Sequence, residues 1–143
     1  MKILMISSEC VPFAKSGGLA DVVAALSRQL SSMGHDVRII LPEYSFLNLE
    51  NSKIAIEKLI VPMGFKDETV QISKISLPDS NLKVLLAGHP IFTNRTGIYG
   101  EHGSHAYRDI IIGLHFFLLQ HFHILMQKTG YRILFMPMTG LQV

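Results

Sequence analysis

Ile3-Leu4-Met5-Ile6, then Ser7-Ser8-Glu9-Cys10-Val11-Pro12-Phe13-Ala14-Lys15-Ser16-Gly17-Gly18, then Leu19-Ala20-Asp21-Val22-Val23: on this stretch the reading of the fold turns. The first run is short, uninterrupted and apolar, which suits a parallel strand buried on both faces. From Leu19 the apolar residues fall at Leu19, Val22, Val23, Leu26, Leu30 and Met33, a helical spacing, and Gly34 stands where a left-handed residue would end the helix. Val37, Ile39, Ile40 and Leu41 form a second apolar run that Pro42 stops. Residues 2–41 therefore predict a strand, a crossover helix and a second strand, the βαβ unit of an α/β fold.

A glycine pair at a strand-to-helix turn lets the backbone approach a ligand closely and leaves the unpaired amides of the helix start facing it. Those amides and the helix dipole favour an anion. Lys15 adds a mobile charge with three donors two residues before the glycines. A phosphate or diphosphate fits this arrangement; a tight turn beside a solvated lysine fits it too. The spacing matches neither a P-loop nor a Gly-x-Gly-x-x-Gly dinucleotide fingerprint.

Lys15-Ser16-Gly17-Gly18-Leu19-Ala20-Asp21-Val22, preceded by Ser8-Glu9 and Pro12-Phe13, resembles the amino-terminal signature of bacterial glycogen synthases and plant starch synthases. Gly34-His35-Asp36-Val37-Arg38 and Leu41-Pro42 continue the likeness in register. The resemblance implies a retaining glycosyltransferase that moves glucose from ADP-glucose to the non-reducing end of an α-1,4-glucan. It also implies the amino-terminal Rossmann-like domain of a two-domain, GT-B type enzyme, with residues 1–143 as an incomplete first domain whose carboxyl-terminal partner domain is missing. Lys15, Gly17 and Gly18 then contact the nucleotide sugar, Asp21 is a secondary candidate, and no catalytic residue falls within this chain. No metal or other cofactor is implied.

Composition sets outer limits. At 143 residues, 48% apolar and 17% charged, the chain can build one real core. A net charge of +2 without a basic block argues against nucleic acid. The single cysteine, Cys10, excludes an internal disulfide and suits the cytoplasm. No motif makes it a nucleophile. The first apolar run is too short for a signal peptide.

Beyond Pro42 the composition is loop-like to about residue 53, with Glu43 and Tyr44 where the family has a loop facing its cleft. Ile54-Ala55-Ile56 and Leu59-Ile60-Val61 read as short β runs. Val70, Ile72, Ile75 and Leu77, then the turn cluster Asp79-Ser80-Asn81 and the run Leu82–Ala87, read as a hairpin. Lys58, Lys66, Lys74 and Lys83 are spread singly and suit solvated faces. Together these residues predict a mainly parallel sheet with an antiparallel insertion. Arg95-Thr96-Gly97-Ile98-Tyr99-Gly100 resembles the family's Arg-x-Gly-x-Tyr-Gly segment, which implies that Tyr99 lines the nucleotide-sugar side of the cleft; packing of its own loop is the plainer alternative. Tyr107 and Arg108 match less specifically.

After Asp109, a second secondary candidate, the likeness weakens. Residues 110–126 carry no formally charged side chain, and His115, Gln120, His121 and His123 interrupt the apolar run. Such a run reads as a buried helix rather than a membrane span, which needs about 17 to 25 apolar residues. The histidines are not spaced as an i, i+4 metal pair. Lys128-Thr129-Gly130-Tyr131-Arg132 resembles the approach to the next parallel strand. Thr139-Gly140-Leu141 matches the end of a His-x-His-Asp-Trp-x-Thr-Gly-Leu signature, yet Met136-Pro137-Met138 replaces its core. Residues 110–138 are read as a diverged or frame-shifted segment. Two further readings are a non-catalytic half-domain that binds phosphate, a nucleotide sugar or glucan, and an inert remnant. Translation of the other reading frames of the gene across 110–138 is expected to restore an Asp-Asn or His-Asp-Trp match; finding none in any frame removes the frame-shift reading.

Overall fold

The computed structural model describes residues 1–62, 67–100 and 130–135. Strand β1, Lys2–Ile6, is buried from Ile3 to Ile6, as an apolar run without alternation requires of a central parallel strand. Helix α1, Leu19–Ser32, returns the chain to β2, Asp36–Pro42, which lies parallel to β1 with Ile3 opposite Val37 and Ile6 opposite Ile40.

Two elements then leave the alternation. β3, Lys53–Pro62, and β4, Asp67–Ser76, are antiparallel to each other, and β4 is antiparallel to β5, Lys83–Gly88. A single helical turn, α2 (Pro90–Thr93), follows, its start capped by the His89 side chain accepting from the Ile91 amide. Strand β6, Arg132–Phe135, pairs parallel with β1 on the side away from β2. The sheet order is β3-β4-β5-β2-β1-β6. It is a mixed α/β sheet with a parallel body and an antiparallel extension, as the sequence predicts, and β6 lies within the segment read as diverged.

Alternation along β1 divides the core. Ile3 and Met5 join Cys10, Val23, Ala24, Ile39, Leu41 and Leu86 on the α1 side. Leu4 and Ile6 join Ile40, Val70, Ile72 and Phe92 on the other. A hydrophobic side chain buried at this depth stabilises the fold by about 1.5–3 kcal/mol.

Two sequence expectations need correction. The buried stripe of α1 is Ala20, Val23, Ala24 and Ser27, with Leu19, Leu26 and Leu30 packed beside it. Val22 and Met33, assigned to the stripe from spacing, are 50% and 63% exposed. At about 100° per residue the stripe centres on the alanines, and their small side chains let the helix lie close on the sheet. The runs at Ile54–Ile56 and Leu59–Val61 are one strand of ten residues, not two, because register shifts between Ile54 and Ile56 and between Ile56 and Leu59 break the alternation without ending the pairing. The hairpin turn at Asp79 is present, with that residue at φ 55°. Lys66, Tyr107, Arg108, Asp109, the run 110–126 with its histidines, and residues 136–143 lie outside the described residues.

At the end of α1, Gly34 takes φ +85°, and the Gly34 and His35 amides close back on the Ser31 and Leu30 carbonyls. Gly34→Ala is expected to destabilise the chain by about 1 kcal/mol, through left-handed strain alone, since an added Cβ there meets nothing within 4 Å. Urea denaturation measures it, and an unchanged midpoint would show that the helix does not end in this form.

Candidate functional site: the turn between β1 and α1

Strands β5, β2, β1 and β6 are parallel, so their carboxyl ends share one edge, and the loops beginning at Ser7, Glu43 and His89 leave from it. The chain moves outward from β1 through β2 to β5, then returns to the opposite side of β1 as β6. The crevice at such a reversal is where open parallel sheets receive ligands. The loop leaving β1 at that point is residues 7–18.

Its conformation is set by Glu9. This residue is only 2% exposed, yet it carries a carboxylate. The backbone amide and hydroxyl of Ser16 donate to it at 2.5 and 2.8 Å, the Gly17 amide donates at 3.1 Å, and the Tyr99 hydroxyl also donates to it. Burial pushes the Glu9 carboxyl upward, but these hydrogen bonds, led by the Ser16 amide and the Tyr99 hydroxyl, outweigh it and hold the group below its ordinary value. Tyr99 has spent its proton on Glu9 and accepts from the Ser8 hydroxyl at 2.9 Å, while the Tyr44 hydroxyl donates to the Ser8 carbonyl at 3.0 Å. Burial, reinforced by Glu9, lifts the Tyr99 phenol to about 12, and burial lifts that of Tyr44 as well. Both phenols therefore remain donors at neutral pH.

The remainder of the loop is pinned locally. Cys10 and Ala14 exchange backbone hydrogen bonds at 2.9 and 3.0 Å, and the Val11 amide donates to the Ala20 carbonyl. Burial raises the Cys10 thiol to about 12, so it stays protonated and acts as a small core residue.

The start of α1 is open. Gly18 is its N-cap residue and supplies no side-chain hydrogen bond, so among the described residues the first-turn amides have no side-chain cap. An added Cβ at Gly17 or Gly18 meets nothing within 4 Å, and neither residue has a positive φ. Among the described residues, neither backbone conformation nor packing calls for glycine there. Lys15 stands alongside, half exposed, paired with Asp21 at 2.8 Å; the two side chains are 52% and 55% exposed. A pair so open to water contributes about 0–1 kcal/mol and is readily exchanged for another partner.

The structure thus brings Lys15, Gly17, Gly18, Asp21 and Tyr99 to one edge, with two departures from expectation. The Gly17 amide already serves an anion, and that anion is a side chain of the protein. The Tyr99 hydroxyl points to Glu9 and Ser8, not outward. Glu9 stands in the sequence signature without a role of its own; a carboxylate three residues beyond a parallel strand buried from Ile3 to Ile6 is the signal that marks it. Asp109 lies outside the described residues. Among the described residues no cluster of three or more metal-ligating side chains occurs, and no helix is long and apolar enough to cross a membrane.

The starch synthase catalytic domain family matches this chain over residues 2–134. The glycogen synthase of Treponema denticola is 42% identical over 101 residues, covering 71% of this chain and 21% of that protein. The glycogen synthase of Gloeobacter violaceus is 46% identical over 101 residues, covering 70% and 21%. Among solved structures, the catalytic domain of starch synthase IV from Arabidopsis thaliana, bound to ADP and acarbose, superimposes with a TM-score of 0.73 at 26% identity, covering 94% of this chain and 27% of that one. The chain spans about a fifth of the length of these curated relatives.

Because the folded Glu9 pKa lies below its unfolded value, its stabilising contribution is complete above the ordinary carboxylate range and is lost as pH falls through the depressed value. Glu9→Gln is expected to be less stable than the native chain at pH 7 and to show a flatter loss of stability over that acid interval. Thermal melts from pH 7 downward test this, and parallel curves for the two chains would show that Glu9 is not held as described.

Proposed function

Since the chain belongs to the starch synthase catalytic domain family, we propose that it carries the donor-diphosphate end of a GT-B type glycogen synthase site. The full reaction moves glucose from ADP-glucose to the 4-hydroxyl at the non-reducing end of an α-1,4-glucan. The bond from the anomeric carbon to the diphosphate breaks, a glycosidic bond to the acceptor oxygen forms with the same anomeric configuration, and the acceptor hydroxyl gives up its proton. Negative charge grows on the departing ADP.

The observation that carries this reading is the uncapped start of α1 behind two glycines that nothing among the described residues requires. A diphosphate seated there meets amides already oriented, the positive end of the helix dipole, and Lys15 released from Asp21. Charge placed in advance where charge develops is the main way such a site speeds transfer, and here it takes the part that a metal plays elsewhere. Tyr99 contributes its ring at the rim, its hydroxyl being committed inward. In a cytoplasmic setting the glucan and a further domain complete the site, and we assign turnover to that whole rather than to these 143 residues.

One observation favours the narrower reading, a weak binding half-domain. Two carboxylates, Glu9 within the turn and Asp21 at the start of α1, stand against Lys15 as the turn's one basic side chain, so affinity for a doubly charged diphosphate is modest until other cations arrive.

Calorimetry with ADP-glucose is expected to show saturable binding that Lys15→Ala weakens roughly tenfold, the scale of a lost charge-assisted contact of about 1.4 kcal/mol. Gly18→Ala is expected to keep the native melting temperature and still bind less tightly. The chain alone should incorporate no glucose from ADP-glucose into glycogen. Native affinity in Gly18→Ala overturns the placement at the helix start; steady incorporation overturns the division of labour.

A further inference from the structure

A buried carboxylate beside a diphosphate site poses an electrostatic problem. Glu9 and the proposed ligand are both anions, and Gly17 is the link between them: its amide donates to Glu9, while the exposed Gly18 next to it opens α1. By charge alone, removal of Glu9 should tighten anion binding. By geometry it should do the opposite, since three of its hydrogen bonds come from Ser16 and Gly17, the residues that join Lys15 to Gly18. The fourth comes from Tyr99, ninety positions along the chain.

Taking the turn as a diphosphate site, we propose that Glu9 is its positioning residue. Its carboxylate clasps the Ser16-Gly17 backbone on one side and the Tyr99 hydroxyl on the other, and so fixes the turn that presents Lys15, Gly18 and the helix start to the ligand. The clasp has the form such a role needs. An uncharged amide in place of the carboxylate offers one acceptor oxygen and turns an N–H group toward donors, so it cannot hold the Ser16 and Gly17 amides and the two hydroxyls together. The carboxylate is nearly inaccessible, which keeps it from touching the ligand itself. Tyr99 is the second half of the device. Its hydroxyl ties the loop at residues 94–100 to the turn, and Ser8 locks that hydroxyl by donating to it. A bound diphosphate then meets a turn that need not be ordered at the moment of binding, which removes an entropic cost from association.

The test is ADP binding by calorimetry to the native chain, Glu9→Gln, Tyr99→Phe and the double variant, with far-UV circular dichroism confirming that each is folded at the temperature used. Glu9→Gln is expected to weaken ADP about tenfold, although it removes a negative charge. Tyr99→Phe is expected to weaken ADP about threefold in the native background and to add little in Glu9→Gln, because both variants open the same clasp. Equal or tighter ADP binding in folded Glu9→Gln overturns the proposal in favour of a merely repulsive carboxylate, and strictly additive losses overturn the clasp. If Glu9→Gln does not fold, Tyr99→Phe decides alone: native ADP affinity in that variant sinks the proposal. Inorganic pyrophosphate, run in parallel, is expected to show the same ranking. If the folded native chain binds neither ADP nor pyrophosphate, the donor-site reading itself fails and the positioning role falls with it, an outcome distinct from native binding that Glu9→Gln leaves intact.

Discussion

A carboxylate taken out of water is destabilising by several kcal/mol unless donors replace its hydration, and in this chain the Glu9 carboxylate is the group on which that constraint falls. Its replacement donors come from two places far apart in sequence, the turn at Ser16-Gly17 and the hydroxyl of Tyr99. Without the carboxylate the turn would keep its local backbone bonds but lose its tie to Tyr99, and the loop at 94–100 would lose its anchor on Ser8 and Glu9. One unfavourable burial thereby ties the turn after β1 to the loop at 94–100.

The sheet explains why that edge is the place for it. β1 is the central strand of the parallel body, flanked by β2 and β6, and its own residues are buried on both faces. Any polar chemistry that β1 positions must come after it, at Ser7, Ser8 and Glu9. The antiparallel strands β4 and β3 lie beyond β5, three and four strands from β1, and extend the sheet away from the turn after β1.

How much of this could be read in the sequence depended on the range of the interaction. β1, α1 and β2 follow from local spacing, and the left-handed end at Gly34 follows from the residue type. Spacing also misplaced Val22 and Met33, because a run of apolar residues says where a helix could be buried, whereas the alanines Ala20 and Ala24 decide how closely it packs. β3 read as two runs because its irregular register disguises a single pairing with β4. The family likeness found Lys15, Gly17, Gly18 and Tyr99 as a set, and the structure gathers them at one edge, but it could not say that Tyr99 turns its hydroxyl inward. That orientation is fixed by Glu9 and Ser8, and a partner ninety residues away leaves no periodic trace.

The charges of the turn raise a question about strength against order. Counted as bare charges, Glu9 and Asp21 outnumber Lys15, and the turn should repel a diphosphate. The two carboxylates are not equivalent, however. Asp21 is half exposed and its pair with Lys15 is screened by water, so under the proposed reading a diphosphate would take its place at little cost. Glu9 is surrounded by donors whose dipoles point at it, so much of its field is already answered within the turn. What remains outward is the uncapped start of α1 on a backbone that is already ordered. A turn built this way trades bulk attraction for fixed geometry, and under the proposed donor-site reading that is what transfer would use, because the amides would already face the diphosphate as its charge develops.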